Sequence, residues 1–315
     1  MTSCPPILLI VFNRPRLAAQ VLDVIRRQKP SRLYLAADGP RAPADFPNDT
    51  SRCEECRSLA ETIDWPCEVF TRFSETNQGC GRGVSNAISW FFDCEVSGII
   101  LEDDCFPADD FFPYCRELLD RYQDNPQIMT ICGNNFGAPQ SAAACAGSSY
   151  GFGRYSQVWG WASWARAWKL FQYELGPATE EFRHFKIRGA SRLQQRVHQT
   201  YVRSTIGPSG LNAWGYQWQF AVLKNKGLVI CPSANLISNL GFGEDATHTL
   251  KADSPAALVP LSNLAMPLNH PAAVNESLAI NRIYALHMLG NPSRLRKKLL
   301  KSWLRRITGR TRNHN

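Results

Sequence analysis

The chain has 315 residues, 44% of them hydrophobic, enough apolar content for a substantial core in one large domain or two small ones, so a disordered chain is excluded for most of its length. Its formal net charge of +8 is a property of the tail, because no Asp or Glu follows Glu276 while Arg and Lys crowd the last residues. Eleven cysteines make an odd count in a long chain, and the opening MTSCPPILLIVF carries no charged leader or cleavage pattern. The expectation is a reducing, cytoplasmic compartment. No apolar stretch reaches the roughly 18 residues of a membrane-spanning helix.

In chain order, 6–12 (PILLIVF) reads as a buried strand, 16–27 as a helix through Leu17, Val21, Leu22 and Ile25, and 32–37 as a second strand ending at the turn Asp38-Gly39-Pro40. The alternation continues with a helix over 54–63, a strand over 67–73, a helix over 82–92 and a strand over 98–101. Short apolar strands each followed by a helix predict an α/β fold with a mostly parallel central sheet covered on both faces. Ligands of such sheets bind at the carboxyl ends of the strands, where Asn13-Arg14, Asp38-Gly39 and Glu102-Asp103-Asp104 all fall. Cys53, Cys56, Cys67 and Cys80 lack the second close pair of a zinc site and read as buried or incidental thiols.

The second half is less regular. Trp159, Trp161, Trp164 and Trp168 crowd one segment; the spacing of Trp161, Trp164 and Trp168 suits a helix, and Trp164 and Trp168 are expected in its core. A short helix over 214–223, a strand over 228–231 and a strand running into a loop over 235–243 complete the pattern. The expected organisation is a nucleotide-binding half (1–132), an acceptor-binding half (133–291) and a basic tail (292–315), with no internal repeat.

The segment GIILEDDCFPADDFF passes from a buried strand directly into three acids. Three adjacent carboxylates cannot stand dry and unpaired; they face solvent or a cation. A divalent ion carrying a nucleoside diphosphate uses such a group, holding charge on the leaving diphosphate. The alternative is an ordinary turn, and Asp109 and Asp110 read that way, as caps of the next helix.

On LEDDCFPADDFFPY the chain resembles the GT-A-fold glycosyltransferases over most of residues 6–250. The acidic stretch is similar to that of the N-acetylglucosaminyltransferase I family, and the remainder resembles bacterial sugar transferases, including hemolysin-activation-like ones. The resemblance implies a GT-A, Rossmann-like fold and a Mn²⁺ (or Mg²⁺) cofactor. It also implies a nucleotide-sugar donor, a UDP-sugar by preference, and hexosyl or N-acetylhexosaminyl transfer. By match, Asp104 is the metal ligand and Asp103 contacts the donor, with Glu102 beside them. Asn13 and Arg14 fall in the loop that cradles base, ribose or diphosphate, and Asp38 looks like the acid that meets uracil or ribose; a turn-forming Asp-Gly is equally compatible. The glycine-rich run before the next helix is similar to an element of bacterial GT-A enzymes, carried by Asn77, Gly79, Arg82 and Asn86, and has no Walker pattern.

Late in the chain, His248 follows a glycine-rich acidic loop and is the expected partner of Asp104 at the metal. Trp159 and Trp161 resemble the Gly-Trp element that shapes the donor-sugar side. An inverting transferase needs a base for the acceptor hydroxyl. Where related sequences carry Trp-Asp this one has Trp214-Gly215, leaving Glu244 and Asp245 as the substitutes. The tail from Pro292 places Leu295, Leu299, Trp303 and Ile307 on one helical face among nine Arg and Lys, the pattern of an interfacial helix on anionic lipid.

The expected protein is an inverting, metal-dependent transferase acting on a bacterial surface glycan such as lipopolysaccharide, or on a lipid-linked acceptor. Its expected place is the cytoplasm, peripheral on the inner face of the membrane, with no nucleic-acid partner. A non-catalytic binding protein on the same scaffold and a sugar-1-phosphate nucleotidyltransferase are the alternatives. The second lacks the glycine-rich basic loop it would need after the first strand.

Overall fold

The computed structural model describes residues 4–137, 140–176, 178–187, scattered positions from 189 to 199, 212–241 and 259–289. Strand β1 (Ile7–Val11) is buried along its whole length and divides its side chains by the period of two. Ile7, Leu9 and Val11 face one side of the sheet with Val21 and Ile25, whereas Leu8 and Ile10 face the other with Ile88 and Phe91. A strand buried on both faces has no polar alternation, which is why it reads as a continuous apolar run.

Helix α1 (Pro15–Gln28) opens with a proline in its first turn and ends at Lys29 in the left-handed conformation, φ 46°, whose N–H returns to Ile25 O at 3.2 Å. Then come β2 (Arg32–Ala37), α2 (Asp49–Ser58) with a 3-10 turn over Leu59–Thr62, β3 (Glu68–Phe73), α3 (Gly79–Cys94) and β4 (Ser97–Glu102). These four strands pair in parallel in the order β3-β2-β1-β4. Short β5 (Cys105–Pro107), α4 (Phe111–Arg121) and β6 (Ile128–Cys132) follow.

The remaining described elements are α5 (Gln140–Ala144), β7 (Tyr150–Gly153), β8 (Trp161–Trp164), α6 (Ala165–Trp168), α7 (Ala178–His184), α8 (Gly215–Lys224), β9 (Leu228–Pro232), β10 (Ile237–Asn239) and α9 (Leu278–Leu289). They extend the sheet to eight strands, β3-β2-β1-β4-β8-β6-β9-β7, while β10 and β5 form a separate antiparallel pair. Four of the seven ladders are parallel, β3-β2, β2-β1, β1-β4 and β6-β9. The architecture is the expected α/β sheet flanked by helices.

The sheet crosses residue 133 without interruption, since β8 lies between β4 and β6. Gly133 itself is deep in the fold: its N–H donates to Gly160 O at 2.9 Å, and a Cβ there would stand 2.6 Å from Ile237 and Phe111. One surprise concerns the tryptophans. Trp161 and Trp164 stand in strand β8, not on a helix, and only Trp168 is helical. An i, i+3, i+7 spacing arises here because a strand turns directly into a single helical turn. Trp164 and Trp168 are buried as expected.

Candidate active site

Parallel pairing of β1, β2 and β4 brings three strand ends to one edge of the sheet. Phe12–Arg14, Asp38 and Glu102–Asp104 therefore converge, although they lie far apart in the chain. The small β10-β5 pair adds a fourth segment: Asn239 pairs with Cys105, and Leu240 N–H donates to Asp104 O at 2.8 Å. A cavity of about 650 Å³ opens between this edge and the second half of the chain.

Its floor is the acid triplet. Asp103 is 2% exposed, accepts the Phe12 backbone N–H at 3.2 Å and pairs with Arg14, so it binds β4 to the end of β1. Asp104 accepts from Arg14 Nη1 at 2.9 Å and from the Cys105 thiol at 3.5 Å. Glu102 has no hydrogen-bond partner among the described residues. Burial, and then the charges of Asp104 and Asp103, push its carboxyl up to about 8. Burial likewise pushes Asp103 up to about 6, against the pull of Arg14. Burial opposes the charge of Arg14, yet the neighbouring carboxylates hold it above its ordinary range.

Such a floor carries more negative charge than one guanidinium neutralises, and its donors are hard carboxylate oxygens, those of Asp104 engaged by Arg14 and Cys105 and those of Glu102 without a side-chain partner among the described residues. Both features suit Mn²⁺ or Mg²⁺. Among the described residues no cluster of three or more His, Cys, Asp or Glu is arranged to enclose a metal. A hard divalent ion there would take an Asp104 oxygen in exchange for its Arg14 or Cys105 contact, with Glu102 beside it, and would need ligand oxygens for the rest of its shell.

Asp38 sits at the rim with both oxygens engaged. They accept the backbone N–H groups of Gly39 (2.8 Å), Gln78 (2.8 Å) and Gly79 (2.9 Å) and the Asn77 amide at 3.2 Å. Its carboxylate thus fastens the glycine-rich loop to the end of β2. Gly79 takes φ +77°, a conformation that favours glycine. Asn86 borders the cavity and donates to Gln78 Oε1 at 3.0 Å.

Three expected contacts are placed differently. Arg82 is 59% exposed, pairs with Glu174 and lies against the Tyr173 ring, away from the cavity wall. Arg82 shares a face of α3 with Asn86, one turn on, but its side chain turns aside to Glu174 and Tyr173. Asn13 donates to the buried Asp49 at 2.8 Å and is likewise absent from the lining. Trp161 is fully buried, stacked 5.7 Å from Trp214 at 25°, and cannot touch a ligand; β8 holds it inside the sheet. Its neighbour Trp159 does border the cavity, with Phe136 perpendicular to it at 4.7 Å.

Other lining residues were not anticipated: Arg41 and Arg72 near the ends of β2 and β3, Gln157 beside Trp159, and Asn212, whose Oδ1 accepts the Gly81 N–H at 2.7 Å on the glycine-rich loop. Arg41 packs 3.6 Å above the Phe46 ring and pairs with Asp49 at 2.6 Å. The strand-end rule that selects Asp38 would have selected both arginines. Gly215 starts α8 at the far wall, where an added Cβ would meet only Val158, at 3.6 Å. Glu244, Asp245, His248 and the tail 292–315 lie outside the described residues. Among described residues no helix is long and apolar enough to cross a membrane.

No protein-family model and no curated protein matches the chain by sequence. Solved structures give faint overlaps. A galactosyltransferase, LgtC, in complex with donor and acceptor sugar analogs aligns over 89% of this chain and 94% of its own at 10% identity and TM-score 0.38. The bifunctional glycosyltransferase WbbM aligns over 72% of this chain and 38% of its own, at 10% identity and TM-score 0.34. Mouse xyloside xylosyltransferase 1 aligns over 80% and 86%, again at 10% identity and TM-score 0.34.

Proposed function

We propose that the chain is a metal-dependent glycosyltransferase that moves a sugar from a nucleotide-sugar, a UDP-sugar by preference, to a glycan or lipid-linked acceptor. The observation that carries this reading is the acid triplet at the carboxyl end of β4, on the floor of a cavity of about 650 Å³. The cavity has space for a nucleotide and a sugar together. Asp104 and Glu102, with His248 from the late loop, would hold the ion, which supplies positive charge to the leaving diphosphate. Asp103 keeps β1 and β4 in register beneath it. Arg41 and Arg72 offer cationic contacts to the donor at the rim, and Asp38 shapes the loop against which the donor lies.

The opposite wall suits a sugar acceptor, since Trp159 and Phe136 bring apolar rings to the cavity beside Gln157. Transfer with inversion requires a base on that side, for which Glu244 and Asp245 are the residues proposed. The basic tail would hold the enzyme at an anionic membrane surface, in keeping with a lipid-linked acceptor such as a lipopolysaccharide precursor. Donor hydrolysis and transfer with a panel of nucleotide-sugars, with and without Mn²⁺, test the assignment in wild type and Asp104→Ala. Metal-stimulated turnover that disappears in the variant is expected; metal-independent turnover that survives it rejects the site. Proton NMR of the product's anomeric centre checks inversion.

A further inference from the structure

The floor of the cavity already contains a cation. Arg14 is the residue before the first turn of α1, where Pro15 limits the backbone, and its guanidinium spans two acids, pairing with Asp103 and donating to Asp104 Oδ2 at 2.9 Å. The other Asp104 oxygen accepts from the Cys105 thiol at 3.5 Å. Access is narrow, because a Cβ on Gly241 would stand 2.7 Å from Arg14 Nη1 and 2.9 Å from Asp104 Cγ. The side chains of Arg14 and Asp104 are 17% and 16% exposed, so water screens them weakly.

A divalent ion on Asp104 would meet a resident positive charge bonded to the same carboxylate. Like charges on one shared ligand oppose each other unless further negative charge arrives. A diphosphate brings that charge in a form to which an arginine fork is matched. From this geometry we infer that Arg14 is an exchangeable counter-ion: it occupies the acid floor in the free protein and moves to the diphosphate when the donor binds. The ion therefore enters strongly only together with the nucleotide. The inference rests on the metal-dependent reading above and adds an order of binding to it.

Linkage makes the effect reciprocal, so Mn²⁺ and nucleoside diphosphate each tighten the other's binding by the same factor. The test is Mn²⁺ binding followed by electron paramagnetic resonance of the free ion, for the full chain, with and without UDP. Wild type should bind Mn²⁺ at least roughly tenfold more weakly alone than with UDP, in the range of ordinary coupling factors. Arg14→Gln, freed of the competing charge, should bind Mn²⁺ alone roughly tenfold more tightly than wild type and lose most of the coupling. Arg14→Lys, which keeps the charge but not the fork, should bind Mn²⁺ alone as weakly as wild type and show a smaller coupling with UDP, and thermal melting verifies that each variant is folded. Equal or weaker Mn²⁺ binding by folded Arg14→Gln, in the absence of UDP, overturns the exchange while leaving the metal-dependent reading intact. Failure of every form to bind Mn²⁺, even with UDP, overturns both.

Discussion

The acid floor and the tryptophan wall border the same cavity, yet opposite forces assemble them. On the floor, one arginine pairs with two of three carboxylates, and burial pushes Glu102 up to about 8 and Asp103 up to about 6, so the fold carries repulsion there. Behind the wall, Trp161 and Trp168 each lie 5.2 to 6.1 Å from Trp214, Trp218 and one another, and all four rings are almost wholly buried. One region spends stability on charge kept in place for a ligand; the other supplies it through apolar area. Substitutions in the two regions should therefore separate activity from stability.

The largest separation is expected at Asp104. Asp104→Asn keeps the shape of the side chain and removes its charge. It should lower metal-stimulated transfer by roughly a hundredfold or more, the scale of losing one electrostatic stabiliser, with little change in melting temperature. The mirror image is Trp161→Ala, expected to cost about 3 to 5 kcal/mol in denaturant unfolding while the folded fraction still binds donor normally. Reduced donor affinity per folded molecule would contradict the placement of Trp161 behind the wall. Trp159→Ala lies between these cases: it should raise the acceptor KM while moving the melting temperature only slightly.

A weaker effect separates the regions by pH. Glu102 is held above its ordinary value, so between about 4.5 and 8 the folded protein binds more protons there than the unfolded chain. Stability of the metal-free protein should then fall as pH rises across that window, and Glu102→Gln should flatten the melting-temperature profile. The smallest effect is expected at Arg82. Its pair with Glu174 is exposed on both sides, and Arg82→Ala should leave transfer unchanged and stability within about 0.5 kcal/mol.

The same contrast explains what could be read before folding was known. The apolar runs of β1, β2 and β4 and the periodicity of α1 and α3 are local signals, and each element lies within a few residues of its expected place. In the second half β9 stands where a strand over 228–231 is expected, but β7 and β8 are harder to see. Strand β7 contains two glycines, and β8 joins a helix so directly that its tryptophans imitate helical spacing. Residue 133 resembles a boundary in composition, yet Gly133 lies at a packed crossing between the halves.

For the site, residue chemistry and strand-end position were enough to single out Glu102-Asp103-Asp104, because three acids after a buried strand require a counter-charge or solvent. Their separate environments were not encoded locally. Asp103 turns to Phe12 and Arg14, Asp38 is committed to the loop over 77–79, and Arg82 leaves the cavity, all through partners 39 to 92 residues away. Periodicity records which side chains leave water, since burial follows the helix and strand repeats. Which polar group meets which is decided only when the sheet brings distant strand ends together, and that pairing gives each acid of the triplet its own environment.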